Sequence, residues 1–80
     1  MLEELATKEK VVGIKQVRRL LRADGAKQVY VACDADPWLT EPLLDMCREA
    51  DIPAVTGFTM SQLGRASGIQ VGTAAVALTK

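Results

Sequence analysis

Residues 11–33 read VVGIKQVRRLLRADGAKQVYVAC. The two valines at residues 11–12 predict a short buried strand, which Gly13 ends. Residues 14–23 carry apolar side chains at helical spacing and predict an amphipathic helix. Residues 28–33 are rich in strand formers and predict a central strand. A strand, a helix and a second strand in this order are typical of an α/β fold.

The helix predicted at residues 14–23 separates apolar from basic side chains. Its apolar face consists of Ile14, Val17, Leu20 and Leu21. The opposite face is a basic stripe of Lys15, Arg18, Arg19 and Arg22. Asp24 and Gly25 follow directly, and we expect Gly25 to occupy the C′ position that ends the helix.

Two helix-start signals follow the central strand. Asp36 before Pro37 has the form of an N-cap followed by proline at the first helical position. Thr40 with Pro42 has the same form, since proline is well tolerated in a first helical turn. We therefore expect a single turn after Asp36 and the main helix from Thr40 to Ala50.

The rest of the chain continues the alternation. Residues 2–9 predict a short first helix, and residues 54–56 and 74–78 predict further strands. The alternation of strands and helices predicts a three-layer α/β/α sandwich with a mixed or parallel sheet. We expect residues 1–80 to form a single domain, because the chain is near the small end of what folds alone.

The charges are sorted along the chain although the net charge is zero. The segment from Lys8 to Lys27 contains seven basic and two acidic residues, a local net charge of +5. The segment from Asp34 to Asp51 contains six acidic residues and one arginine, a local net charge of −5. A basic segment of this kind can bind a polyanion even in a neutral protein.

The absent residue types exclude several functions. The chain contains no histidine, which is the usual general base and a common metal ligand. Asp34 and Asp36 are better explained by turn closure and helix capping than by catalysis. The sequence therefore predicts a protein that is not an enzyme and that binds no metal or cofactor.

Cysteine usage and the amino terminus predict a cytoplasmic protein. Cys33 and Cys47 fall in elements expected to be buried and are interpreted as reduced core thiols. Residues 1–4 are acidic where an export signal would be basic. No apolar run approaches the roughly 20 residues that span a membrane.

The turn at Gly13 is the first candidate site. The positive pole of the helix that follows favours an anion, and the basic stripe begins there. A phosphate needs only charge, whereas a base edge needs a donor and an acceptor, which Gln16 offers. The alternative interpretation is a solvated basic helix face.

The loop at residues 69–72, Ile-Gln-Val-Gly, is the second candidate site. It separates the predicted strand at 74–78 from a helix that a capping box of Thr59 and Gln62 opens and that Gly68 closes. Its apolar residues either tuck into the core or present an apolar shelf to a ligand. The loop shares an end of the sheet with Gly13 only if the first and last strands are antiparallel, which the pattern alone does not decide.

Three segments together resemble the ribosomal protein L7Ae/L30e family, in particular its small bacterial kink-turn-binding members. They are Val12–Arg19, Val31–Pro37 and Leu63–Gly72, the last followed by the residues Ala-Ala-Val-Ala. The resemblance covers essentially the whole chain in the family's order of elements. It implies an α/β/α sandwich with a mixed four-stranded sheet, the L30e-like fold.

The resemblance also implies a function. The family binds kink-turns, which are sharply bent RNA helices with tandem sheared G·A pairs beside a bulge. The RNA-binding positions that it implies are Gly13, Ile14, Lys15, Gln16, Arg19, Ile69, Gln70, Val71 and Gly72. Lys15-Gln16 stands where archaeal and eukaryotic members have Asn-Glu. We expect a cytoplasmic monomer that binds a kink-turn in ribosomal RNA or a riboswitch, in association with the ribosome, and that binds no DNA or membrane.

Two other functions stay open at this stage. A protein-interaction or ribosome-assembly module would use the acidic helix face of Glu41, Asp45 and Glu49. A small ligand-binding domain would hold a phosphorylated ligand at Gly13, although the absence of a longer glycine-rich loop disfavours it.

Overall fold

The computed structural model describes Leu5 and residues 9–80. The elements in chain order are β1 (Lys10–Val12), α1 (Ile14–Arg22), β2 (Ala26–Val31), α2 (Pro37–Ala50), β3 (Ala54–Val55), α3 (Met60–Ala66) and β4 (Ala75–Thr79). The order of strands and helices predicted from residue 11 onward is confirmed, with boundaries shifted by one or two residues at several ends. The helix predicted at residues 2–9 falls almost entirely outside the described residues.

The four strands form one mixed sheet in the order β1-β4-β2-β3. β4 is antiparallel to both of its neighbours, whereas β2 and β3 are parallel. The sheet therefore has one end at which β1, β2 and β3 finish and β4 begins, and we call it the upper end. Because α1, α2 and α3 each follow one of the first three strands, all three helices begin there.

Two apolar clusters cover the two faces of the sheet. On one face, Val17 and Leu21 of α1 pack with Leu43 and Cys47 of α2. On the other face, Leu63 of α3 packs in a second buried cluster. The predicted α/β/α sandwich is thus confirmed, and the apolar face predicted for α1 lies against the core. The basic stripe of α1 consequently points away from the sheet.

The prediction of two separate helical segments around Pro42 was wrong, because α2 runs without a break from Pro37 to Ala50. The side chain of Asp36 accepts a 3.0 Å hydrogen bond from the Trp38 N–H and caps the helix, as predicted. Pro42 removes the amide donor that would bond to the Trp38 carbonyl four residues earlier. That carbonyl lies on an exposed turn, where water can satisfy it, so packing of the buried face outweighs the local cost.

The assignment of Gly25 to the C′ position of α1 was also wrong. Asp24 has the positive φ of 56° and occupies that position instead. The N–H groups of Asp24 and Gly25 bond to the carbonyls of Leu21 and Leu20 at 3.1 and 3.0 Å, which is the Schellman arrangement. A Cβ at Gly25 would lie 2.8 Å from Leu20 Cδ1, so a larger residue there would require the Leu20 side chain to move.

The two cysteines occupy different environments. Cys47 is buried between α2 and the sheet, and burial raises the pKa of its thiol. Cys33 is exposed, so the prediction of a buried thiol was wrong at this position. β2 ends at Val31, and Cys33 lies in the turn beyond it, where its N–H bonds to the Phe58 carbonyl at 2.8 Å. Both thiols are free.

Candidate nucleic-acid interface

Gly13 forms a turn that only glycine adopts readily. Its φ of 106° and ψ of 153° lie in a region that is essentially closed to residues with a side chain. Its carbonyl accepts a 3.0 Å bond from the Val17 N–H, which starts α1. Its N–H donates a 2.9 Å bond to the Ala75 carbonyl. The turn therefore fixes the start of α1 against the first residue of β4.

The amino end of α1 carries uncompensated positive potential. Within the described part of the chain, no side chain caps it and its first turn contains no acidic residue. The N–H groups of residues 14–16 have no acceptor inside the helix, because α-helical bonding begins four residues on. Backbone N–H groups and the helix dipole together make such an end a binding site for anions.

The side chains at this end fit a polyanion. Lys15, Gln16 and Arg19 are exposed, whereas Ile14 is half-buried against the core. A Cβ on Gly13 would lie 3.1 Å from the Gln16 amide oxygen, so the Gln16 side chain folds over the turn. The basic residues line one shallow depression, formed by Lys15, Arg18, Arg19 and Arg22. The ion pairs among the described residues join Arg48 to Asp45 and Lys80 to Asp24 and leave α1 out.

The residues of the apolar loop differ in how far they are exposed. Ile69 is half-buried, whereas Gln70 and Gly72 are exposed. Val71 keeps 72% of its surface exposed. Val71 is therefore not a core anchor, and its apolar surface is accessible to a ligand, whereas Ile69 is partly tucked against the protein.

The loop is held against α3 at both of its ends. The Ile69 N–H bonds to the Gly64 carbonyl at 3.0 Å, and the Thr73 N–H bonds to the Met60 carbonyl at 3.2 Å. Gly64 is buried, and a Cβ there would overlap with the carbonyl oxygen of Val71. The loop backbone thus lies directly on a glycine of the helix, which sets its path before any ligand binds.

The start of α3 is itself fixed by two caps. Thr59 and Gln62 form the predicted capping box, with both reciprocal hydrogen bonds present. Asp34 Oδ1 accepts a 2.8 Å bond from the Met60 N–H. Asp36 thus caps α2 as predicted, whereas the Asp34 side chain caps the distant start of α3 and not the turn after its own strand. The described residues contain no group of three or more residues that could hold a metal ion.

The structure brings the two candidate sites to one end of the sheet. β1 and β4 are antiparallel, with Val12 opposite Val76, which is the orientation that the sequence pattern left open. The Ala75 carbonyl accepts the Gly13 N–H at 2.9 Å and the Thr73 hydroxyl at 3.0 Å. One backbone group thus connects the turn before α1 to the end of the apolar loop.

Two residues that the sequence analysis did not single out lie beside the loop. Ser61 and Arg65 of α3 line a polar depression together with residues 69–72. Both side chains are exposed, and Arg65 adds a cation on the α3 side of the loop. Their four-residue spacing places them on one face of α3, which is the only signal in the sequence that groups them.

No helix of the described residues is both long and apolar enough to cross a membrane.

Comparison with known proteins identifies the family. The sequence matches the model of the ribosomal protein L7Ae/L30e/S12e/Gadd45 family over residues 2–80. The chain belongs to this family. It is 43% identical over 70 residues to an RNA-binding protein of Geobacillus sp. (strain WCH70), covering 88% of this chain and 85% of the relative. It is 41% identical to the RNA-binding protein YbxF of Geobacillus stearothermophilus, with the same coverage.

Solved structures share the family fold. A protein from Bacillus halodurans C, described as having unknown function, superposes with a TM-score of 0.88 at 23% identity over 99% of this chain and 83% of its own. The Giardia lamblia 15.5kD RNA binding protein superposes with a TM-score of 0.88 at 25% identity over 99% of this chain and 68% of its own. The predicted L30e-like fold is confirmed. The sequence relatives are named as RNA-binding proteins and not as enzymes, which bears out the prediction of a non-catalytic family member.

Proposed function

We propose that this protein binds RNA at kink-turns and stabilises their bent form. Its family and the names of its relatives support an RNA ligand. A kink-turn populates bent and open conformations, and a protein that binds the bent one better shifts the RNA toward it. The target is a kink-turn within a structured RNA such as ribosomal RNA or a riboswitch, bound by one copy of the protein.

The Ala75 carbonyl is the observation that carries this proposal. It accepts one hydrogen bond from the Gly13 N–H and one from the Thr73 hydroxyl, and so links the Gly13 turn to the end of the apolar loop. The uncapped, basic start of α1 and the exposed Val71 therefore belong to one end of the sheet. A regular A-form helix offers no fit to this end, because its major groove is too narrow for side chains to read. A bent RNA opens the groove and displaces bases.

Each part of the surface has a distinct role in the proposed complex. Lys15 and Arg19 contact phosphates at the start of α1, where the helix dipole adds to their charge. Gln16 donates to and accepts from a base edge, which a lysine alone cannot do. Val71 covers a displaced base by apolar contact, and Arg65 holds the phosphate next to it.

A gel-shift comparison tests the proposed function. The protein is titrated with a kink-turn RNA and with the same RNA after its sheared G·A pairs are replaced by Watson–Crick pairs. We expect the kink-turn RNA to bind at least about a thousandfold more tightly, which is the lower end of the range by which specific nucleic-acid sites exceed non-specific ones. Equal affinity for the two RNAs would reject kink-turn recognition while leaving general RNA binding intact.

Replacing Val71 with aspartate should weaken the binding of kink-turn RNA by about tenfold, because it places a charge beside the phosphates and removes the apolar contact. The thermal unfolding midpoint should stay unchanged, since the side chain is 72% exposed. Val71→Thr keeps the shape without the charge and serves as the control, with a loss of at most about threefold. Full affinity in Val71→Asp would place the loop outside the RNA contact.

A further inference from the structure

An exposed apolar side chain lies at the start of α2, outside the proposed RNA contacts. Trp38 keeps 86% of its surface exposed, and the adjacent Leu39 keeps 45%. Trp38 is also the only tryptophan in the sequence. A group of large apolar side chains exposed to water often marks a contact surface, whereas a single exposed apolar residue is ordinary. The group is therefore a candidate for a second interface.

Trp38 forms one wall of a shallow depression on α2. Pro37 and Pro42 extend its apolar surface, and Glu41 and Asp45 supply carboxylates. All five residues are exposed. The depression thus combines an aromatic ring and two proline rings with an acidic rim, and we call it the Trp38 surface.

The hydrogen-bonding groups of the Trp38 surface are mostly acceptors. Pro42 lacks the N–H that would bond to the Trp38 carbonyl, which leaves that oxygen without a helical donor. Asp45 forms a 3.2 Å ion pair with Arg48, whereas Glu41 forms none with a described residue. A partner must therefore bring donors and positive charge as well as apolar contact.

The chemistry of the Trp38 surface selects one kind of occupant. Arginine stacks on tryptophan by a cation–π contact and bonds to carboxylates with its planar fork of N–H groups. The segment around this surface, from Asp34 to Asp51, carries a balance of −5. That charge attracts a cationic protein and repels the phosphates of an RNA.

We infer that the Trp38 surface binds an arginine-bearing apolar segment of a partner protein. The residues that line it are distinct from the proposed RNA contacts on α1 and in the 69–72 loop, so the two ligands do not compete for the same side chains. α2 begins at the same end of the sheet as α1, which places a cationic partner where it also approaches the bound RNA. This assignment stands whether or not the RNA is a kink-turn.

Intrinsic fluorescence tests the assignment directly, because Trp38 is the sole tryptophan. The probe is a dye-free ten-residue peptide that alternates arginine with leucine. We expect a saturable blue shift of the Trp38 emission as the ring leaves water. Peptides of the same length that alternate arginine with serine, or glutamate with leucine, should bind at least about tenfold more weakly, because each lacks one of the two required contacts.

Two variants distinguish binding at the Trp38 surface from general charge attraction. Their affinity for the same peptide carrying a dye is measured by fluorescence anisotropy. Glu41→Lys should weaken peptide binding by about tenfold. Glu49→Lys makes the same charge change on the same helix outside the depression and should change affinity by less than about twofold. Equal losses in both variants would overturn the assignment. A blue shift with single-stranded RNA in place of the peptide would also overturn it, by making Trp38 a base-stacking platform.

Discussion

The double substitution Gln16→Ala with Arg19→Ala is expected to weaken the binding of a kink-turn RNA by about a hundredfold. Gln16 lies over the Gly13 turn, where it can read a base edge, and such a contact contributes about 1–3 kcal/mol. Arg19 lies in the basic depression of α1 and loses a phosphate contact. Together the two losses come to about 2.7 kcal/mol, which corresponds to a hundredfold change in Kd. Gel shift or calorimetry at moderate salt measures it.

Lys27→Ala is the matched control for this loss of charge. Lys27 is exposed and lies at the start of β2, which is the end of the sheet opposite the proposed site. Its removal should change the affinity by less than about threefold, through long-range electrostatics alone. If the double variant bound as tightly as the parent protein, or if Lys27→Ala lost as much affinity, the contacts proposed at the start of α1 would be wrong.

Gly64→Ala is expected to lower the free energy of unfolding by about 2 kcal/mol. Alanine is better than glycine inside a helix by about 1 kcal/mol, so propensity alone predicts the opposite sign. The new methyl group would overlap with the Val71 carbonyl, however, and overpacking against backbone costs about 1–3 kcal/mol. Moving the loop also strains its bonds from Ile69 to Gly64 and from Thr73 to Met60, each contributing about 1 kcal/mol. Urea denaturation measures the net change.

Gly57→Ala is the control for the glycine substitution. Nothing lies within 4 Å of a Cβ built at Gly57, so stability should stay the same or rise slightly. The Gly64→Ala variant should also bind kink-turn RNA more weakly under conditions where it is fully folded, because the loop that carries Val71 has shifted. A Gly64→Ala protein as stable as the parent would show that the loop gives way freely and that its path is not set by α3.

Local signals in the sequence predicted most of the fold. Periodicity separated the buried face of α1 from its basic stripe, and the capping box of Thr59 and Gln62 marked the start of α3. These predictions succeed because the interactions on which they rest span only three or four residues of the chain. The same locality misled at Pro42, where a start signal lay inside a longer helix whose buried face was strong enough to continue.

The remaining features depend on contacts between distant parts of the chain. The antiparallel pairing of β1 with β4 joins segments more than 60 residues apart, and no periodicity records it. The contact of Gly64 with the loop backbone is invisible until α3 and the loop are placed together. For the same reason the sequence pattern did not indicate Arg65 as part of the site, whereas the structure places it beside residues 69–72.

The most direct test of the account follows the backbone amide resonances of the protein during titration with a kink-turn RNA. We expect the largest shifts at two separate segments, residues 13–16 and residues 69–72, saturating together at one equivalent of RNA. Residues at the opposite end of the sheet, such as Lys27, should stay nearly unchanged. Shifts confined to only one of the two segments, or shifts centred on α2, would contradict the claim that the start of α1 and the apolar loop form a single RNA-binding surface.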